Sequence, residues 1–243
     1  MAEGKRVEAN RRYSALRTYF GWLHSREYVS ENPMLGVQKP FDGETPSDRY
    51  WKDQEIAALW NCADEFDDYN KTYLRLLILL GHRPMEIGSM RWGDLDLENA
   101  IWNLGSKHKA GWKSGRKAVT PLPEVAVEML QKLPRVRDNP YVFPGRGDRD
   151  GNPNPQSRGT GQIAPIRTAS GIADFDFKTA RATVRTGLEQ LDIPPHEIDA
   201  CLNHGPTGSG RKFYGKYTYE KQQREAFDQW ADHVLTCAET RAA

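Results

Sequence analysis

Cysteine is scarce in this chain. Cys62, Cys201 and Cys237 are the three in 243 residues, an odd number and widely spaced. That set suits neither a disulfide framework nor a zinc-ligand pattern, and fits a reduced, cytoplasmic protein. Long apolar runs are missing as well. The longest, residues 74–80, is interrupted by Arg75 and falls far short of the roughly 20 residues that span a bilayer. Residues 1–6 carry no apolar signal-peptide core. No Gly-rich nucleotide loop and no clear metal cluster is present. Charge of one sign is also lacking: 34 Lys and Arg against 33 Asp and Glu leave a net +1. A whole-molecule field that attracts nucleic acid is thereby excluded, and any such partner has to be met by a local basic face.

The remaining composition, 38% hydrophobic and 28% charged, is that of a globular chain long enough to bury a core in one or two domains. Two local basic clusters stand out. One is Lys107, Lys109, Lys113, Arg116 and Lys117; the other is Arg11, Arg12 and Arg17. Either can be solvated surface charge or a contact for phosphate.

Apolar spacing predicts an amphipathic helix over residues 7–28, stopped by Asn32-Pro33, and a Pro- and Gly-containing linker over 39–48. A helix is expected from Asp53, with Ile56, Leu59 and Trp60 on its buried side. A strongly apolar helix follows over 69–80, closed by Gly81. Pro84 suits the first turn of a short helix that places Arg83 at its start and Glu86 one turn on. Residues 101–104 and 118–122 read as strands of a hairpin joined by the Lys-rich segment. Helices are expected over 124–133, 178–191, 194–202 and 219–237, and a surface loop over 144–165. The predicted fold class is mainly α with a small antiparallel β-sheet.

Three separated segments carry chemistry: Gly81-His82-Arg83-Pro84-Met85-Glu86, Lys178-Thr179-Ala180-Arg181, and Leu202-Asn203-His204 followed by Tyr214. Cations that hold a phosphate and a tyrosine hydroxyl that can attack it suit phosphodiester chemistry. The stretch LLILLGHRPMEIGSMRWGDLDL resembles the first box of the tyrosine recombinases, Gly-x-Arg-x-x-Glu followed by an apolar-Arg-Trp-x-Asp run. KTARATVRTGLEQLDIPPHEIDACLNH resembles their second box, and YGKYTYEKQQREAFDQW the tyrosine segment of the island-type integrases.

The resemblance covers roughly residues 46–240 and implies a recombinase catalytic domain over 46–243. Residues 1–45 resemble the end of a core-binding domain plus linker, so the chain reads as part of a longer enzyme. The implied activity is site-specific integration or excision of a prophage or genomic island, through a 3′-phosphotyrosyl link to double-stranded DNA and without cofactor or metal. A tetramer on DNA is implied for the full-length protein, with this chain monomeric in solution. Rival readings are a chromosome-dimer-resolving recombinase of the same family, and a DNA-binding remnant without catalysis.

By the same resemblance, Arg83 and Arg181 cradle the scissile phosphate, Glu86 orients Arg83, and His204 assists by hydrogen bonding or proton transfer. Tyr214 is the expected nucleophile, with Tyr217 and Tyr219 as alternatives. Lys109 is the expected general acid to the leaving 5′-oxygen, with Lys113 and Lys107 behind it. Lys107, Lys113, Arg116 and Lys117 are expected on DNA. Lys178 stands where the family usually has histidine. A lysine can hold a phosphate oxygen, but with an ordinary pKa of about 10.4 it is a poor base near neutrality.

Overall fold

The computed structural model describes residues 3–42, 48–104, 118–147, 152–155, 162–203 and 219–242. The chain divides into two compact units, Met1–Asp48 and Arg49–Ala243. Among the described residues, no helix is long and apolar enough to cross a membrane.

The first unit is helix α1, Glu3–Ser25, and a return segment tied to it. Asn10 grips Phe41 from both sides, its Nδ2 donating to the Phe41 carbonyl (2.9 Å) and its Oδ1 accepting from the Phe41 N–H (3.1 Å). Tyr13 donates to the Val37 carbonyl at 2.7 Å. The helix ends three residues before the expected Tyr28. Glu27 takes the left-handed conformation (φ 61°), and Tyr28 N–H reaches back to Leu23 O and Glu27 N–H to His24 O. That is a Schellman ending, built on a residue type that rarely announces one.

The second unit is mainly helical with a small sheet, as expected. Helix α2 (Asp53–Cys62) starts where Glu55 accepts the Lys52 N–H, and it buries Ile56, Leu59 and Trp60. Helix α3 (Asp68–Leu80) is capped by Asp67, whose Oδ1 accepts from the N–H groups of Tyr69 and Asn70. Its Leu74, Leu76, Leu77, Ile78, Leu79 and Leu80 are all buried, so it forms the centre of the core. The short α4 is Pro84–Gly88.

Strands β1 (Leu95–Asp96), β2 (Ile101–Leu104) and β3 (Ala118–Pro121) form an antiparallel sheet in that order, with Trp102 opposite both Leu95 and Thr120. Strand β1 was not expected; two residues carry no periodicity to read. Helices α5 (Glu124–Lys132), α6 (Ile163–Ser170), α7 (Thr179–Gln190), α8 (Pro195–Cys201) and α9 (Glu220–Ala242) complete the unit. Two boundaries correct the sequence reading. The loop expected through Pro165 gives way to α6 at Ile163, because a proline in the first turn loses no helical hydrogen bond. Helix α9 continues five residues past Cys237.

Helices α7 and α9 close on α3. Trp230 of α9 donates its indole N–H to the Ile78 carbonyl at 2.9 Å, and its ring lies against Gly187 of α7.

Candidate active site

The site grows from the end of α3. Gly81 terminates that helix in the left-handed conformation (φ 58°), its N–H bonded to Leu77 O. A Cβ at this position would stand 2.7 Å from Val184 Cβ of α7, so glycine is required for both backbone and space. The turn delivers His82 inward and Arg83 outward.

His82 is fully buried. Its Nε2 pairs with Thr120 Oγ1 at 2.8 Å, and its ring centroid lies 5.3 Å from that of Trp102. Burial pushes its pKa down to about 4; the cations of Arg181 and Arg83 push the same way against the pull of Glu86. The ring is therefore neutral at physiological pH.

Arg83 stands at the start of α4 and is more than half exposed. Glu86, buried, holds it twice: Oε1 accepts from Arg83 Nη1 at 2.8 Å, and Oε2 from the Arg83 backbone N–H at 2.9 Å. The expected contact three residues apart is present.

Arg181 lies in the first turn of α7 and spans two segments. Its Nη1 donates to the Gly81 carbonyl, 100 residues away, at 3.3 Å, and its Nη2 to the Leu202 carbonyl after α8. Burial, and next the nearby Arg83 charge, hold its pKa well below the ordinary guanidinium value, down to about 10, with Glu86 opposing. It remains a cation near neutrality. Two guanidinium groups thus share a neighbourhood with one carboxylate and a neutral imidazole. The positive charge left over suits an anion such as a phosphodiester.

Lys178 is exposed at the N-cap of α7, one turn before Arg181. Tyr219 precedes α9, with its ring edge-on to His196 at 5.5 Å, an arrangement that packs the helix start. His204, Tyr214, Tyr217, Lys107, Lys109, Lys113, Arg116 and Lys117 lie outside the described residues. At the two ends of the Lys-rich segment, Leu104 and Ala118 pair across β2 and β3, and Thr120, two residues on, is the partner of His82. This His82–Thr120 link went unread in the sequence, because neither residue announces a partner so distant along the chain. A further cluster of potential metal donors, Asp53, His233 and Cys237, joins α2 and α9. It shares no residue with the arginine site and had no counterpart in the sequence reading.

The sequence profile of the phage integrase family matches residues 49–219. Prophage integrase IntZ of Escherichia coli is 29% identical over 215 residues, which is 86% of this chain and 50% of that protein. The chain spans half or less of the length of the curated relatives it matches first. Among solved structures, the integrase from mycobacterium phage Brujita aligns with a TM-score of 0.58 at 19% identity, over 93% of this chain and 75% of that one. A lambda integrase dimer bound to a core site aligns with a TM-score of 0.56 at 18% identity, over 88% and 77%. At these identities the structural likeness carries the fold alone.

Proposed function

Because the chain belongs to the phage integrase family, we propose that it is the catalytic portion of a site-specific DNA recombinase that integrates or excises a prophage or genomic island. The observation that carries this reading is the meeting of Arg83 and Arg181. They come from segments a hundred residues apart, and one buried carboxylate leaves their combined charge unbalanced.

In the proposed reaction the two guanidinium groups bind the non-bridging oxygens of a scissile phosphate and stabilise the charge that grows there. Glu86 sets the direction of Arg83. The Tyr214 hydroxyl oxygen attacks phosphorus as its proton passes to solvent water, and the bond to the 5′-oxygen breaks. Lys109 protonates that oxygen, leaving a 3′-phosphotyrosyl link and a 5′-hydroxyl. Attack by the partner strand's 5′-hydroxyl reverses the step and releases Tyr214. His204 donates to the phosphate, and Lys178 adds a charge contact at the start of α7. Lys107, Lys113, Arg116 and Lys117 neutralise neighbouring phosphates. Exchange between two duplexes requires four such cleavages, hence four copies on DNA; off DNA the chain is proposed to be a monomer. The N-terminal unit is proposed to belong to a core-binding domain, with Arg11, Arg12 and Arg17 as its phosphate contacts.

The test is covalent capture on a nicked duplex from which the leaving strand diffuses away. The chain should form a DNA adduct, and Tyr214→Phe should abolish it while the circular dichroism spectrum stays that of the parent. An adduct that survives Tyr214→Phe and disappears with Tyr217→Phe or Tyr219→Phe would move the nucleophile. A parent chain that binds DNA and never forms the adduct would be a remnant without catalysis.

A further inference from the structure

Asp53 opens α2, and His233 and Cys237 stand on α9. A spacing of four residues puts the last two on one face of their helix. Asp53 Oδ1 lies 3.1 Å from His233 Nε2, and Cys237 Sγ lies 3.5 Å from the same nitrogen. The three donor atoms fall within 4.8 Å of one another. Donors around a tetrahedral zinc ion, at bond lengths of about 2.0–2.3 Å, sit roughly 3.3–3.8 Å apart. The cluster therefore needs only small movements to close on an ion.

Its surroundings fit that use. Trp230 stacks on the His233 ring at 5.3 Å and 23°, which limits how far the imidazole can swing. Asp53 is 67% exposed and His233 31%, so an ion can enter from solvent. The donor types select the ion. Thiolate with imidazole and one carboxylate suits zinc, whereas magnesium and calcium take oxygen donors.

We propose that Asp53, His233 and Cys237 form a zinc-binding site that clasps α9 to α2, with water as the fourth ligand. Helix α9 follows the segment that holds Tyr214, so the ion fixes the far anchor of that segment. The inference does not depend on the recombinase reading, since a chain unable to cut DNA would still bind the metal.

Cobalt(II) is the probe. Titrated into the reduced, metal-free chain, it should give a thiolate-to-metal charge-transfer band that saturates at one ion per chain and is displaced by zinc. Cys237→Ser and His233→Gln should lose the band, and Asp53→Asn should weaken binding at least tenfold, while Cys62→Ser and Cys201→Ser keep it. Zinc in excess should raise the unfolding temperature of the parent by several degrees and leave that of His233→Gln unchanged. Three results would each overturn the proposal: no charge-transfer band at saturating cobalt, a band that persists in Cys237→Ser, or Asp53→Asn binding as tightly as the parent.

Discussion

His82, sealed beside two arginines and a glutamate, titrates near pH 4 in the fold and near 6.5 in the free chain. Between those values the unfolded chain takes up a proton that the folded one refuses. The stability this residue allows is complete above pH 6.5 and declines as pH falls toward 4, by on the order of 3 kcal/mol. His82→Gln, which keeps a polar group facing Thr120, should flatten that decline; urea midpoints at pH 7 and pH 5 would register it. An equal drop with and without the imidazole would assign the acid sensitivity to other groups. Under the proposed function, Glu86 sets the direction of Arg83. In Glu86→Gln one amide face presents donors to a guanidinium that has only donors to offer. Cleavage in a single turnover should slow about tenfold or more, while DNA affinity holds or rises because a negative charge has gone. Weaker binding together with an unchanged cleavage rate would contradict the orienting role.

The elements most legible in the sequence were those with a local cause. The leucine-rich α3 was bounded by Gly81 because its burial, its period and its stop signal all lie within one window. Strands β2 and β3 were placed to within a residue, as short runs on either side of the Lys-rich segment. Part of what escaped depends on contacts made across the fold. The His82–Thr120 bond and the meeting of Asp53 with His233 and Cys237 have no local spacing to betray them, while the Schellman turn at Glu27 and the two-residue β1 are local features that lack a telling residue type or length. In the candidate site, Arg83, Glu86 and Arg181 were named from their motifs, but the two carbonyls that hold Arg181 were not. The packing of α7 on α9 is of the same long-range kind and can be tested. A Cβ on Gly187 would come within 2.1 Å of Trp230 Cζ3, and that indole is tethered to Ile78 O and cannot easily retreat. Gly187→Ala should therefore cost about 2–3 kcal/mol in urea unfolding, the range of an overpacked core. A midpoint equal to the parent's would show that the two helices can slide apart without penalty.

At the scale of the whole molecule, and among the described residues, the large hydrophobic cluster lies within Arg49–Ala243. A chain of residues 49–243 should fold alone and unfold in one cooperative transition, within about two degrees of the parent's main transition. A calorimetric scan that shows a broad or strongly lowered transition would mean that the first unit supports the second. Within that larger unit, one guanidinium is seated on carbonyls from two other stretches of chain, at the end of α3 and just after α8. Its seat exists only when both stretches have arrived. The arginine thus works as a safety catch. A nascent or partly melted copy, with either stretch out of place, has a loose arginine and one anion-holding group in place of two. Under the proposed function, such a copy is disarmed: competence to cut requires the ends of α3 and α8 to stand together, and it is withheld while they are apart.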